Sequence, residues 1–205
     1  MTTIAIAWTP KVLYIAADSG ITDGNFATMP SMEKIVRQND WLIAGAGLDR
    51  TTDVLQLVTK YPSIPPRLKR NRTNEAWLQW MAKRIVPKIR KTAQDEMSLD
   101  TKDGVAEIPD SDFIYISHGK GFLISASLGI TLIEPYWAIG SGSQLAIGSL
   151  ATSYDNKDWD KKAKDYLVQA LKTAIRHDSF SHPPITMWAS HTTGGITKCD
   201  SKDLV

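Results

Sequence analysis

The chain is poor in the features that announce several common classes of protein. Its one cysteine, Cys199, leaves no internal disulfide and no cysteine-built zinc cluster, and it fits a reducing compartment. Its four histidines, His118, His177, His182 and His191, do not fall at zinc-ligand spacing and have no carboxylate motif beside them, so no metal and no cofactor is expected. No apolar run approaches the roughly 18–20 residues of a membrane span, and nothing resembles a secretory signal. Charge of one sign is missing too: 24 Lys and Arg against 22 Asp and Glu leave +2, which gives no reason to expect a nucleic-acid or membrane partner. The one basic run, Arg67-Leu68-Lys69-Arg70-Asn71-Arg72, has few aromatics interleaved and reads as a solvated linker in preference to a phosphate patch. A cytoplasmic protein without internal repeats is the expectation.

What is present is enough for one core. With 205 residues, 42% of them apolar, a single domain over 1–205 is expected. In the opening Met1-Thr2-Thr3-Ile4-Ala5-Ile6-Ala7-Trp8, the large Ile4, Ile6 and Trp8 alternate with small residues and share one face of a strand. If Met1 is removed, Thr2 carries a hydroxyl and a free α-amine on one residue, a pairing that activates threonine without histidine; the alternative is that Thr2-Thr3 only starts an edge strand. Residues 12–17 read as a strand covered on both faces, delivering Asp18 at its end, and residues 21–31 read as a loop. A hairpin is expected over 34–37 and 41–44, running into Gly45-Ala46-Gly47. The next helix, capped near Asp49 or Thr51, has Val54, Leu57, Val58 and Tyr61 as its apolar stripe. Another, capped at Thr73 or Asn74, carries Trp77, Leu78, Met81, Ile85 and Ile89, with Pro87 kinking or dividing it.

Residues 95–112 read as a surface loop, and strands follow at 113–116, 121–125 and 130–139. Gly140-Ser141-Gly142-Ser143 then joins a strand to a helix over 144–154, leaving amides and a hydroxyl at the helix start. A helix over 159–176 ends at Asp178, and strands at 185–190 and 196–197 close the chain. Runs of strands alternating with pairs of helices predict antiparallel sheets with helices packed outside. The fold class expected is α+β, a four-layer α-β-β-α sandwich.

Several motifs in fixed order now converge. Thr2-Thr3-Ile4 follows the initiator, Ala16-Ala17-Asp18 places a carboxylate 16 residues after Thr2, and Lys34 stands 32 residues after it. Thr22 and Gly24-Asn25 lie in register between them. Ala44-Gly45-Ala46-Gly47, Ala138-Ile139-Gly140-Ser141-Gly142, and Asp178 with Ser181 before Pro183-Pro184-Ile185 complete the set. On these motifs the chain resembles the N-terminal-nucleophile threonine peptidases of the proteasome β-subunit and HslV type over nearly its whole length. It departs from them at Gly20, often arginine or another polar residue in relatives; at Leu48-Asp49-Arg50, where a small-Ala-Asp start is usual; and in a segment over 62–112 longer than the compact HslV pattern.

The resemblance implies a threonine-type endopeptidase with Thr2 as nucleophile, Lys34 lowering the pKa of the amine and hydroxyl, and Asp18 holding Lys34 charged and oriented. Ser141, Asp178 and Ser181 would hydrogen-bond the amine and its water. The oxyanion amide falls to Gly47, with Ala46 the alternative, and Thr22, Met32, Val36 and Ala46 would touch substrate. It implies further that the chain partners itself in a homo-oligomeric ring or stacked rings around unfolded protein, with room for an ATP-dependent unfoldase. The other readings are a catalytically silent ring subunit, against which intact Thr2, Asp18 and Lys34 argue, and an amidase of the same class acting on small amides.

Overall fold

In the structure, a computed structural model, residues 2–23, 26–28, 33–70, 73–96, 99–102 and 104–200 are described. β1 (Thr3–Trp8) and β2 (Val12–Ala17) run antiparallel, Ile4 facing Ala17 and Trp8 facing Leu13. A short hairpin, β3 (Ile21–Asp23) with β4 (Phe26–Thr28), precedes a longer one, β5 (Ile35–Gln38) with β6 (Trp41–Ala46). The first helical layer holds α1 (Asp49–Asp53), α2 (Pro66–Arg70), α3 (Asn74–Trp80) and α4 (Val86–Asp95). After it come β7 (Asp100–Lys102), β8 (Val105–Glu107), β9 (Asp112–Ser117), β10 (Lys120–Ile124), β11 (Ile130–Ile133) and β12 (Tyr136–Gly140). Helices α5 (Ser143–Tyr154) and α6 (Trp159–His177) and strands β13 (Thr186–His191) and β14 (Ile196–Lys198) finish the chain.

Two five-stranded sheets result, ordered β12-β1-β2-β13-β14 and β11-β10-β9-β6-β5. Their facing sides share one core, in which Ile4, Ile6, Leu13 and Ile15 of the first sheet meet Leu42, Ala44, Ile114 and Ile116 of the second. Burying a side chain such as Ile6 contributes about 1.5–3 kcal/mol, and truncating it to alanine would cost about 2–5 kcal/mol. The other face of β1 carries Ala5 and Ala7, which with Ala16 and Ala138 pack against Leu167, Ala170 and Leu171 of α6. Small residues there let two long helices lie close on the sheet. The outer face of the second sheet is large instead, with Trp41, Phe113, Tyr115 and Phe122 meeting Trp77, Met81, Ile85 and Ile89. Helices, two sheets and helices again make the four layers of an α-β-β-α sandwich.

Several local expectations are corrected. Leu48, not Asp49 or Thr51, takes the cap position of α1. Of the stripe Val54, Leu57, Val58 and Tyr61, Val54 and Tyr61 are buried as expected but Leu57 and Val58 are not, because Val54–Val58 is a π turn. Bonding i→i+5 adds a residue to the turn, so Leu55 and Gln56 face inward while Leu57 and Val58 are left 47% and 43% exposed. A second π turn, Met81–Ile85, separates α3 from α4 just before Pro87 and divides the helix as expected. The basic run is helical from Pro66 to Arg70 and buries Leu68, with proline in the first helical position that suits it. The expected loops over 21–31 and 95–112 contain the hairpins β3–β4 and β7–β8; Gly24-Asn25 lies outside the described residues. The single strand expected over 130–139 is two strands in different sheets, β11 and β12, divided at Pro135, which has no N–H for a ladder.

Candidate active site

The ends of β1, β2, β12 and α6 meet around the Thr2–Thr3 peptide. Asp18, one residue beyond β2, sits against it. Its Oδ1 accepts the Thr3 N–H at 2.8 Å and the Lys34 ammonium at 2.8 Å; its Oδ2 accepts the Gly20 N–H at 3.1 Å and the His182 N–H at 3.0 Å. The Asp18 side chain has 0% exposure and that of Lys34 10%. Burial pushes the Lys34 ammonium below its ordinary pKa, against the pull of the Asp18 charge and hydrogen bond. The backbone of Lys34 is held from behind: Gln56, turned inward by the π turn, donates from Nε2 to the Lys34 carbonyl at 2.9 Å and to that of Ile43 at 3.3 Å.

A second carboxylate approaches from the end of α6. Asp178 Oδ2 accepts the hydroxyls of Ser141 at 2.7 Å and Ser181 at 2.6 Å, and Oδ1 accepts the Phe180 N–H at 3.3 Å. Burial works against this carboxylate, but the hydrogen bonds from Ser181, Ser141 and Phe180 oppose it and the pKa lies below its ordinary value. The Ser141 hydroxyl also lies 3.4 Å from the Thr2 carbonyl oxygen.

Thr3 joins the two sides. Its amide binds Asp18, while its fully buried hydroxyl lies 2.6 Å from Ser181 Oγ. Two glycines make room for this dipeptide. A Cβ on Gly140, whose φ is +91°, would stand 1.9 Å from the Thr2 carbonyl oxygen. One on Gly142 would stand 2.2 Å from Thr3 Oγ1. The glycines of the strand–helix junction are thus the cast of the chain's first residues.

Beyond Gly140 opens a cleft of about 580 Å³, with Ala46, Gly47, Ser111, Trp137 and Ser141 in its walls. Gly47 is exposed, with φ +145°, and the Leu48 N–H that follows it donates to Ser111 Oγ at 3.2 Å. Ala46 is nearly buried at the end of β6, and Val36, half-buried in β5, does not line the cleft. Met32 and the Thr22 side chain lie outside the described residues.

Thr2, Asp18, Lys34, Ser141, Asp178 and Ser181 are therefore brought to one place from five segments of chain. Sequence reading did not single out Thr3, Gln56 or the amides of Gly20 and His182. Gly20, noted as a departure, has a physical reason: a Cβ there would meet the His182 Cβ at 2.6 Å. No sequence signal marks Gln56, because α-helical phasing points it to solvent. Among the described residues no group of His, Cys, Asp and Glu could hold a metal ion, and no helix is long and apolar enough to cross a membrane.

A family profile for proteasome subunits matches residues 111–189, which include Gly140-Ser141-Gly142, Asp178 and Ser181. Among curated proteins, proteasome subunit beta 1 of Desulfurococcus amylolyticus is 36% identical over 67 residues, 33% of each chain. Proteasome subunit beta 1 of Cenarchaeum symbiosum is 32% identical over 68 residues, 33% of this chain and 35% of the relative. These matches span about a third of the relatives' length. Similarity of fold extends much further. Thiobacillus denitrificans BPH, also solved in complex with epoxomicin, superposes with a TM-score of 0.72 at 19% identity over 93% of this chain and 98% of that one. HslV from Trypanosoma brucei superposes with a TM-score of 0.65 at 18% identity over 92% and 99%. The resemblance read from the sequence is borne out: over residues 111–189 the chain matches the proteasome-subunit family, and over nearly its whole length it has the fold of HslV.

Proposed function

We propose that this chain is a threonine-type endopeptidase whose nucleophile is Thr2, released by cleavage of the Met1–Thr2 bond. The observation that carries the reading is the convergence of a buried Lys34–Asp18 pair and the Asp178–Ser141–Ser181 cluster on the Thr2–Thr3 peptide. With Met1 attached, the Thr2 nitrogen is an amide without basicity; once freed it is an amine that titrates near about 7.7–8.0, close to what a general base requires. The Thr2 hydroxyl proton passes, through a water, to this amine as Oγ bonds to the scissile carbonyl carbon. The oxyanion so formed meets the Gly47 N–H, an interaction worth about 3 kcal/mol in comparable sites. Collapse breaks the C–N bond, the proton goes to the leaving amine, and water hydrolyses the resulting Thr2 ester. Lys34 supplies positive charge that lowers the pKa of hydroxyl and amine alike, and Asp18 keeps that charge in place.

The cleft of about 580 Å³ supports a peptide over a small amide, since it accommodates several residues of substrate. The ring is part of the same proposal: an endopeptidase of broad reach has to keep its sites inside a chamber, and any unfoldase would feed that chamber. Sedimentation showing only a 22.7 kDa monomer at all concentrations would remove the ring. The nucleophile is tested with two samples, one starting at Thr2 and one with Met1 retained behind a fused tag, each verified by intact mass. Only the first is expected to cleave fluorogenic peptides. Equal cleavage by both would mean that Thr2 does not use its own amine.

A further inference from the structure

We infer that Ser111 is a positioning residue for the oxyanion amide, acting through the Gly47–Leu48 peptide; this rests on the peptidase reading above. Gly47 has φ +145°, a conformation glycine alone adopts with ease. Such freedom is a liability in an oxyanion site, because the peptide planes on either side of a glycine turn over at little cost. Each side is held. Before Gly47, Ala46 is fixed by its pairing with Asp112 across β6 and β9. After it, the Leu48 carbonyl accepts the Thr52 N–H at 3.0 Å and the Thr52 hydroxyl at 3.1 Å, and the Leu48 N–H donates to Ser111 Oγ at 3.2 Å.

Ser111 is built for that contact. It is 4% exposed, and its hydroxyl proton is committed to the Pro109 carbonyl at 2.8 Å, so a lone pair is what it offers Leu48. It also touches the glycine directly: a Cβ on Gly47 would come within 2.3 Å of Ser111 Oγ and of the Asp110 carbonyl oxygen. With the Leu48 N–H consumed by Ser111, and Gly47 itself lining the cleft, the oxyanion contact is assigned to the Gly47 N–H. This favours Gly47 over a donor one residue later. Loss of the Ser111 hydroxyl would release the Leu48 N–H and let the Gly47 peptide sample a second orientation. An oxyanion donor acts on charge that develops after substrate is bound, so the defect falls on kcat and spares KM.

Three chains, each confirmed by mass to begin at Thr2, test this: wild type, Ser111→Ala and Ser111→Thr. Peptide hydrolysis is read as kcat and KM, and hydrogen exchange of residues 46–50 is read without substrate. Ser111→Ala is expected to lower kcat by about 10–100-fold, somewhat less than outright loss of an oxyanion donor. KM should stay within about threefold, exchange at the Leu48 amide should quicken, and Ser111→Thr should recover most of kcat. Wild-type kcat in Ser111→Ala, a rise confined to KM, or unchanged exchange at Leu48 overturns the inference while leaving the peptidase reading intact. A wild-type chain starting at Thr2 that cleaves no peptide overturns the peptidase reading instead, and the role of Ser111 with it.

Discussion

Asp18 accepts four hydrogen bonds, three from main-chain amides and one from Lys34, on a side chain closed to solvent. Asp178, on the other side of the same dipeptide, accepts three, two of them from serine hydroxyls, and remains half-exposed. Amide donors cannot rotate away from their partner, whereas hydroxyls re-aim within a rotamer. One side of the site is therefore fixed by the fold and carries the charge pair. The other is an adjustable polar cluster that can exchange partners with water or an amine. On the peptidase reading, the charge that has to stay put is the one held by backbone amides, and the protons that have to move are with the hydroxyls.

Changes on the fixed side should have the largest effects. Asp18→Ala leaves Lys34 without its carboxylate and strands three amides, so a loss of about 3–5 kcal/mol of stability is expected together with loss of peptide hydrolysis. Denaturant titration showing a loss under about 1 kcal/mol would contradict the fixed-side description. Lys34→Ala should be milder for the fold, about 1–3 kcal/mol, because Asp18 keeps its amides. Hydrolysis should nonetheless fall by about 10²–10⁴-fold, and Lys34→Arg should not restore it, since a planar guanidinium does not replace an ammonium in so tight a space. Activity within tenfold of wild type in the alanine variant would remove Lys34 from the mechanism.

The alkaline behaviour of wild type sharpens the same point. The folded pKa of Lys34 is lowered by burial, so as pH rises the native state releases this proton before the unfolded chain does. The Lys34 contribution to stability therefore increases across the window between the folded value and the ordinary lysine value near 10.4. Activity that depends on the Lys34 charge should decline over that window while the contribution to stability grows. Comparing hydrolysis and denaturation midpoints of wild type and Lys34→Ala from neutral to alkaline pH checks the opposed trends.

The adjustable side should give smaller effects, with a pH signature of the same sign at the acid end of the scale. The folded pKa of Asp178 is depressed, so its stabilisation is fully present above the ordinary carboxylate pKa of about 3.9 and is lost as pH falls through the lower folded value. The stability difference between wild type and Asp178→Asn should be constant from neutral pH to about 4 and narrow below it. A difference that does not narrow in acid would mean that the carboxylate gains nothing from Ser141 and Ser181. Ser141→Ala, removing an exposed hydroxyl, should shift stability by no more than about 0.5 kcal/mol.

The same contrast governs what could be read from the sequence. Asp18 was legible as the carboxylate at the end of an apolar strand, and Lys34 and Asp178 through their places in the motifs that carry the family resemblance, Asp178 at the end of α6. Helix α6 was legible almost to the residue, since small and apolar residues recur along it at α-helical spacing on one face. The opposite layer was not. Its two π turns shift the phase of the apolar stripe, so Gln56 was hidden and Leu57 and Val58 were turned inward on paper. Pro135 was read through as part of a strand, although a residue without an N–H is where a strand can leave one sheet for the other. Thr3 stands within a motif but has no role legible there, because only tertiary structure brings it to Ser181.

That contact has a consequence during synthesis. Thr3 and Ser181 are 178 residues apart, and β1 has two neighbours, β2 made at once and β12 made much later. On a ribosome adding about 5–20 residues per second, β1 waits several seconds with one edge unpaired. Throughout that time the nascent chain holds Thr2 and Thr3 but has no Ser141, Asp178 or Ser181 to receive them. On the peptidase reading proposed above, Thr2 is made well before the residues that surround it, and the site is among the last parts of the described fold to form. If Thr2 is the nucleophile, delayed assembly of this kind would keep a growing polypeptide from attacking itself or its neighbours before it has folded.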